Sequence, residues 1–201
     1  MEYALTLIGF AFATSGTPGP NVLMVAAASA QVGIRRVVPH MLGITLGFPA
    51  MFIAIALGLG LPFAQFPWLH RAMQVVGGAW LLWLAWKIAT APPPRSQMRG
   101  EATPRPPLGF WGAAAFQWVN PKAWMIVLAA LPAFTTPGQP ILPQALLIAL
   151  VFALVSMPCL LFWAWLGQAA RHMLGEGLKL RLFNGAMASL LVLSLLPLVM
   201  P

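Results

Sequence analysis

Two short stretches hold the residues that could do chemistry: Thr17-Pro18-Gly19-Pro20-Asn21 and, about a hundred positions later, Gln117 with Asn120-Pro121-Lys122. Proline removes a backbone donor and clashes with the preceding turn, so neither stretch can continue a regular helix without unwinding. Asn120 is suited to cap a new half-helix whose first position is Pro121, the placement proline prefers. Gly19 and Pro20 can play the same parts in the first stretch. The amides at a half-helix N-terminus carry partial positive charge and attract carboxylates. The chemistry on offer is therefore the holding of an anionic group, with Gly19, Pro20, Asn21, Gln117, Asn120, Pro121 and Lys122 as candidate substrate-binding residues. Thr17 and Pro18, with Gly43 and Gly47 in the next apolar segment, are candidate break or hinge positions.

The segments that must position these residues are apolar throughout. Sixty per cent of the 201 residues are hydrophobic and 7% are charged, far below the roughly 25% charged residues of a soluble domain. At about 20 residues per bilayer crossing, the chain offers six spans, at 3–30, 37–61, 69–90, 110–134, 142–168 and 182–200. The two proline breaks fall inside the first and fourth. The fold class expected is an all-α integral membrane protein in a single transporter domain over 1–201. Its first repeat is 1–91, a Pro-rich cytoplasmic linker is 91–108, and its second repeat is 109–201. Ala28-Ser29-Ala30 could pass for a signal cleavage site, but no basic residue precedes the apolar run and Arg35 and Arg36 follow it, so the segment reads as a retained helix.

Charge orients the spans. The net charge of +8 comes from Arg35, Arg36, Lys87, Arg95, Arg99, Arg105, Arg171, Lys179 and Arg181 in the loops after spans one, three and five, against Arg71 alone on the other side. The positive-inside rule places those loops in the cytoplasm and both termini outside. The basic balance thus marks a membrane face and calls for no nucleic-acid partner. The lone Cys159 supports neither a disulfide nor a CxxC redox pair.

The halves show a weak internal repeat. Pro20-Asn21-Val22-Leu23-Met24-Val25 aligns with Pro121-Lys122-Ala123-Trp124-Met125-Ile126 at an offset of 121 − 20 = 101, and Gly78-Ala79 aligns with Gly185-Ala186 at 185 − 78 = 107. Three spans per half would insert the halves in opposite orientations, as in inverted-repeat transporters. A single break would read as readily as a kink satisfied by neighbouring helices; two at repeat-related positions favour a site. Lys122 lies twelve residues from both Phe110 and Phe134, about 18 Å at 1.5 Å per residue, too deep to snorkel comfortably. It should face a polar cavity or backbone carbonyls.

Lesser signals have plainer readings. Gly43 and Gly47 form a GxxxG pair that most often serves close helix packing, and Gly77-Gly78 reads the same way. Asn21 and Gln117 could line a cavity or satisfy backbone. His40 and His70 lie near span ends, where an interfacial histidine is expected, and Trp68 and Trp111 suit interfacial anchoring.

Gly16 to Asn21, the Arg35 loop, the glycine-spaced second span, Gly77-Gly78-Ala79-Trp80-Leu81-Leu82-Trp83-Leu84, and Phe116-Gln117-Trp118-Val119-Asn120-Pro121-Lys122-Ala123 followed by Leu131-Pro132-Ala133-Phe134 resemble the LysE/RhtB family of amino-acid exporters. The resemblance runs over nearly the whole chain. It implies export of an amino acid or close derivative across a bacterial inner membrane, without enzyme activity, cofactor or metal. The partners it implies are a small-molecule substrate and the lipid bilayer, with a homo-oligomer left open. Many relatives carry an acidic residue after the glycine pair of span two, where this chain has Phe48-Pro49. Its only acids are Glu2, Glu101 and Glu176, so a substrate with an uncharged side chain is expected. A cation or metal transporter on a related scaffold is the alternative, although metal sites want carboxylate, histidine or thiolate ligands.

Overall fold

The structure is a computed structural model that describes residues 2–91, 108–174 and 178–196. The Pro-rich linker at 92–107, Glu101, Glu176 and the side chain of His70 lie outside the described residues. Among those residues the architecture is entirely helical: α1 (Glu2–Gly16), α2 (Pro20–Val32), α3 (Ile34–Ala54), α4 (Leu61–Gln65), α5 (Pro67–Ala89), α6 (Phe110–Phe116), α7 (Pro121–Phe134), α8 (Ile141–Leu174) and α9 (Leu178–Leu193).

Both expected breaks are present. α1 stops at Gly16 and α2 restarts at Pro20; α6 passes into a 3₁₀ turn over Gln117–Val119, and α7 restarts at Pro121. The 15 residues of α1 and 13 of α2 rise about 22 and 20 Å. Neither alone crosses a hydrocarbon core of about 30 Å, and together they exceed it. Ile34–Leu59, Arg71–Ala89 and Ile141–Met173 are each long and apolar enough to cross a membrane. A further irregularity follows α3, where a π-type turn over Ile55–Leu59 carries Gly58 at φ 109°, a conformation that favours glycine.

α8 is the hub, packing against α1, α2 and α3, while α3 also lies along α6 and α5 along α9. Close backbone approach at glycines fixes the α3–α6 and α2–α8 seams and the contact of α5 with the Gln117–Val119 turn. A methyl on Gly43 would strike the Phe110 carbonyl, one on Gly77 the Val119 carbonyl, and one on Gly167 the Ala26 carbonyl. α3 runs unbroken through Gly43 and Gly47, so in this structure both glycines sit in the seam with α6.

Two separate apolar clusters form the core. One joins α2, the start of α3, the end of α5, α6, the second half of α8 and α9; the other joins α1, the end of α3, α7 and the first half of α8. His40 departs from the interfacial expectation, since it is fully buried and both ring nitrogens lack a hydrogen-bond partner. The reason is register: His40 precedes Gly43 and Gly47 by three and seven residues, which places it on the helix face that abuts α6.

Candidate functional site

The two breaks meet. At the first, unwinding strands the last carbonyls of α1, which have no partner further along the helix. Side chains from the second half of the chain take them up. Trp163 of α8 donates its ring N–H to the Gly16 carbonyl at 3.0 Å. The Lys122 ammonium donates to the Thr17 carbonyl and the Thr17 hydroxyl, both at 2.9 Å, and to the Pro18 carbonyl at 3.4 Å. Those acceptors lie at the negative end of α1, and they use all three donors of the lysine.

At the second break, Asn120 is the N-cap of α7 and its side chain accepts from the Lys122 amide at 3.2 Å, with Pro121 in the first turn. The first break is built differently. α2 begins after Gly19, which has no side chain to cap it, and no other side chain does so. The amide end of α2 is therefore the more open of the two half-helix N-termini.

A second cross-connection lies beside the first. Asn21 donates to the Gln117 side-chain oxygen at 2.9 Å, and Gln117 donates back to Asn21 at 3.2 Å and to the Ala113 carbonyl at 2.9 Å. Gln117 is fully buried, so the reciprocal amide pair satisfies groups that would otherwise be costly at depth. Both readings offered for these residues hold together: Asn21 lines the cavity described next, and Gln117 also satisfies backbone.

The cavity between the breaks has a volume of about 60 Å³, room for about four to six waters at 10–15 Å³ each. Its polar side is Thr14, Ser15, Thr17, Asn21, Asn120 and Lys122; its apolar wall includes Ile44, Phe48, Ile126, Phe152 and Leu160. It sits at the junction of the two core clusters, since Val22, Ile44 and Leu160 belong to one and Phe48, Ala123 and Phe152 to the other. Gly19, Asn21, Asn120 and Lys122 line it, whereas Pro20, Pro121, Gln117, Pro18, Gly43 and Gly47 stand behind the lining.

Sequence reasoning passed over Ser156, Phe152 and Trp163, and noted Phe48 only as standing where many relatives carry an acid. The spacing of Phe152, Ser156 and Leu160, four and eight residues apart with one hydroxyl in a long apolar helix, is the signal that could have found the α8 wall. Phe48 and Phe152 meet with ring centroids 5.1 Å apart and close one side of the cavity. Chemically, the site offers a cation, an uncapped helix N-terminus, exposed carbonyls and a small apolar recess.

A family profile described as LysE type translocator matches residues 12–199. Among known proteins, the chain is 32% identical over 164 residues to a cysteine/O-acetylserine efflux protein of Salmonella paratyphi A, covering 79% of this chain and 81% of the relative. It is equally similar to the protein of that name from Salmonella typhimurium, and 28% identical over 156 residues to the one from Escherichia coli K12, with 77% of each chain covered. No solved structure matches the chain.

Proposed function

The chain belongs to the LysE type translocator family, and from that membership we propose that it exports a small amino acid or close derivative with an uncharged side chain, binding it where the two helix breaks meet. The observation that carries this reading is the convergence of Lys122, the Thr17 and Pro18 carbonyls and the uncapped start of α2 on one cavity. A carboxylate would be held between the α2 amides and Lys122, and an ammonium by the carbonyls that unwinding leaves at the end of α1. Pro20 and Pro121 set the breaks, Asn120 fixes the start of α7, and the Asn21–Gln117 pair ties the two sides together.

Side-chain class follows from the wall. Phe48, at the position where the family resemblance leads one to look for an acid, lines the cavity and meets Phe152. A substrate with a cationic side chain would find no carboxylate there. The relatives' names concern cysteine and O-acetylserine, whose side chains carry no charge.

In the six-span arrangement proposed, α1 with α2 forms the first span and α6 with α7 the fourth, and the halves are inverted three-helix repeats. The cross-break contacts support this: Asn21 and Lys122 are repeat-related at an offset of 101, and each reaches residues just before the other's break. Rocking of one half against the other would expose the site to each membrane face in turn, with the basic loops cytoplasmic and the termini outside.

The test is amino-acid release from cells fed dipeptides, comparing host cells, cells with this protein, and cells with Lys122→Ala at equal membrane abundance. Faster appearance of particular small neutral amino acids, lost in the variant, is the expected result. No acceleration across a broad panel, with the protein inserted, would overturn the assignment.

A further inference from the structure

We propose that the Thr17–Pro18 cradle that holds the Lys122 ammonium is also the substrate's ammonium subsite, so that substrate binding is an exchange of one ammonium for another. This rests on the reading of the site given above and adds which group the substrate displaces.

The cradle is built for a cation. Two carbonyls at the negative end of α1 and one hydroxyl supply its three acceptors, and the group that fills them has the same –NH₃⁺ donors as the amino end of an amino acid. Among the described residues no carboxylate bonds the lysine. Its described partners are dipoles, a setting in which an incoming carboxylate would be a favourable partner.

The route of exchange is short. The lysine stem crosses Gly19 closely enough that a methyl there would stand 2.7 Å from Cδ and 3.0 Å from Nζ. Gly19 is also the residue from which the uncapped α2 begins. The ammonium therefore lies beside the carboxylate subsite while bound in the cradle. When a substrate ammonium enters the cradle, the freed Lys122 ammonium can turn to the substrate carboxylate without leaving the cavity that both line. The repeat-related position, Asn21, makes only a neutral amide pair with Gln117, so of these two cross-break contacts one carries charge.

Selectivity for the zwitterion follows. An amine without a carboxylate would expel Lys122 and leave it without a counter-charge; a carboxylate without an amine would draw Lys122 away and leave the Thr17 and Pro18 carbonyls unpaired. Only a molecule with both groups completes the exchange.

The experiment uses purified full-length protein and ethylammonium chloride as the probe, with thermal unfolding followed against probe concentration at constant total chloride. Lys122→Ala vacates the cradle and should be stabilised by ethylammonium at about tenfold lower concentration than any effect on the parent protein, a difference of ~1.4 kcal/mol. Tetramethylammonium, which has no N–H donor, should not substitute. Lys122→Met, which keeps an apolar stem and removes the ammonium, should gain the same response, which keeps the test open if Lys122→Ala fails to fold. An ethylammonium effect equal in parent and variants, or one reproduced by tetramethylammonium, would overturn the proposal. The assay needs no transport: an ethylammonium response in a protein that moves no amino acid would leave the exchange standing and defeat the export reading alone.

Discussion

Gly47→Ala should damage the site from a distance. A methyl on Gly47 would stand 2.5 Å from the Ala114 Cα, 2.9 Å from its Cβ and 3.1 Å from its carbonyl oxygen, and the nearest of these is rigid backbone. Restoring an ordinary contact of 3.4 Å requires α3 and α6 to part by about 3.4 − 2.5 = 0.9 Å. Overpacking of that kind costs about 1–3 kcal/mol. α6 leads directly into Gln117, whose bonds with Asn21 are 2.9 and 3.2 Å long. A shift of that size along them would exceed hydrogen-bond range and add about 1–3 kcal/mol for stranded amide groups. The expected total is ~2–6 kcal/mol, and at about 2–4 °C per kcal/mol for a chain of this size the midpoint should fall by roughly 4–24 °C. Gly9, where an added methyl would meet nothing within 4 Å, is the control: Gly9→Ala should leave the midpoint unchanged or raise it, since alanine favours a helix by ~1 kcal/mol over glycine. Thermal unfolding of both variants in detergent, with export measured alongside, decides the matter. A Gly47→Ala protein as stable and active as its parent would refute the claim that this seam positions the second break.

Further outcomes follow from single contacts. Asn21→Leu and Gln117→Leu should each destabilise by about 1–3 kcal/mol because each strands a partner amide; the double variant should cost less than the sum, with a coupling near 1 kcal/mol in a double-mutant cycle. Asn120→Ala should lose about 0.5–2 kcal/mol as a helix cap, with Asn120→Ser retaining much of it in the same unfolding assay. Phe152→Ala opens the apolar wall, so competition assays should show larger neutral amino acids entering, with stability lower by about 3–5 kcal/mol. Trp163→Phe keeps the ring but removes the donor to the Gly16 carbonyl; a loss of about 1–2 kcal/mol is expected in thermal unfolding.

The parts of this protein that are legible in its sequence are those written in local chemistry. Proline alone does not end a helix here, since Pro39, Pro49, Pro132 and Pro158 lie inside helices; it is the cluster Pro18-Gly19-Pro20 and the pair Asn120-Pro121 that mark the breaks, and Asn120 before Pro121 marks a cap that the structure bears out. Depth alone sets Lys122 against a cavity or carbonyls, and it meets both. What the sequence does not disclose depends on which helices become neighbours. Nothing local tells that Lys122 reaches Thr17 or that Asn21 pairs with Gln117. His40 shows the same limit. Its position near a span end suggests an interface, but the Gly43–Gly47 face draws it into the seam with α6, where it is buried without a partner. Phe152 looks like any apolar residue of a span until α3 and α8 bring it against Phe48 on one wall.

The central claim is that a small amino acid leaves through the cavity where the two breaks meet. Its most direct test is efflux of radiolabelled small neutral amino acids, cysteine and O-acetylserine among them, from liposomes containing the purified protein, compared with Lys122→Ala and protein-free liposomes. Saturable efflux by the parent protein, reduced to the protein-free rate by Lys122→Ala at equal reconstitution, is the predicted result. Efflux that survives Lys122→Ala undiminished would contradict the placement of the site, and efflux no faster than from protein-free liposomes would contradict the export itself.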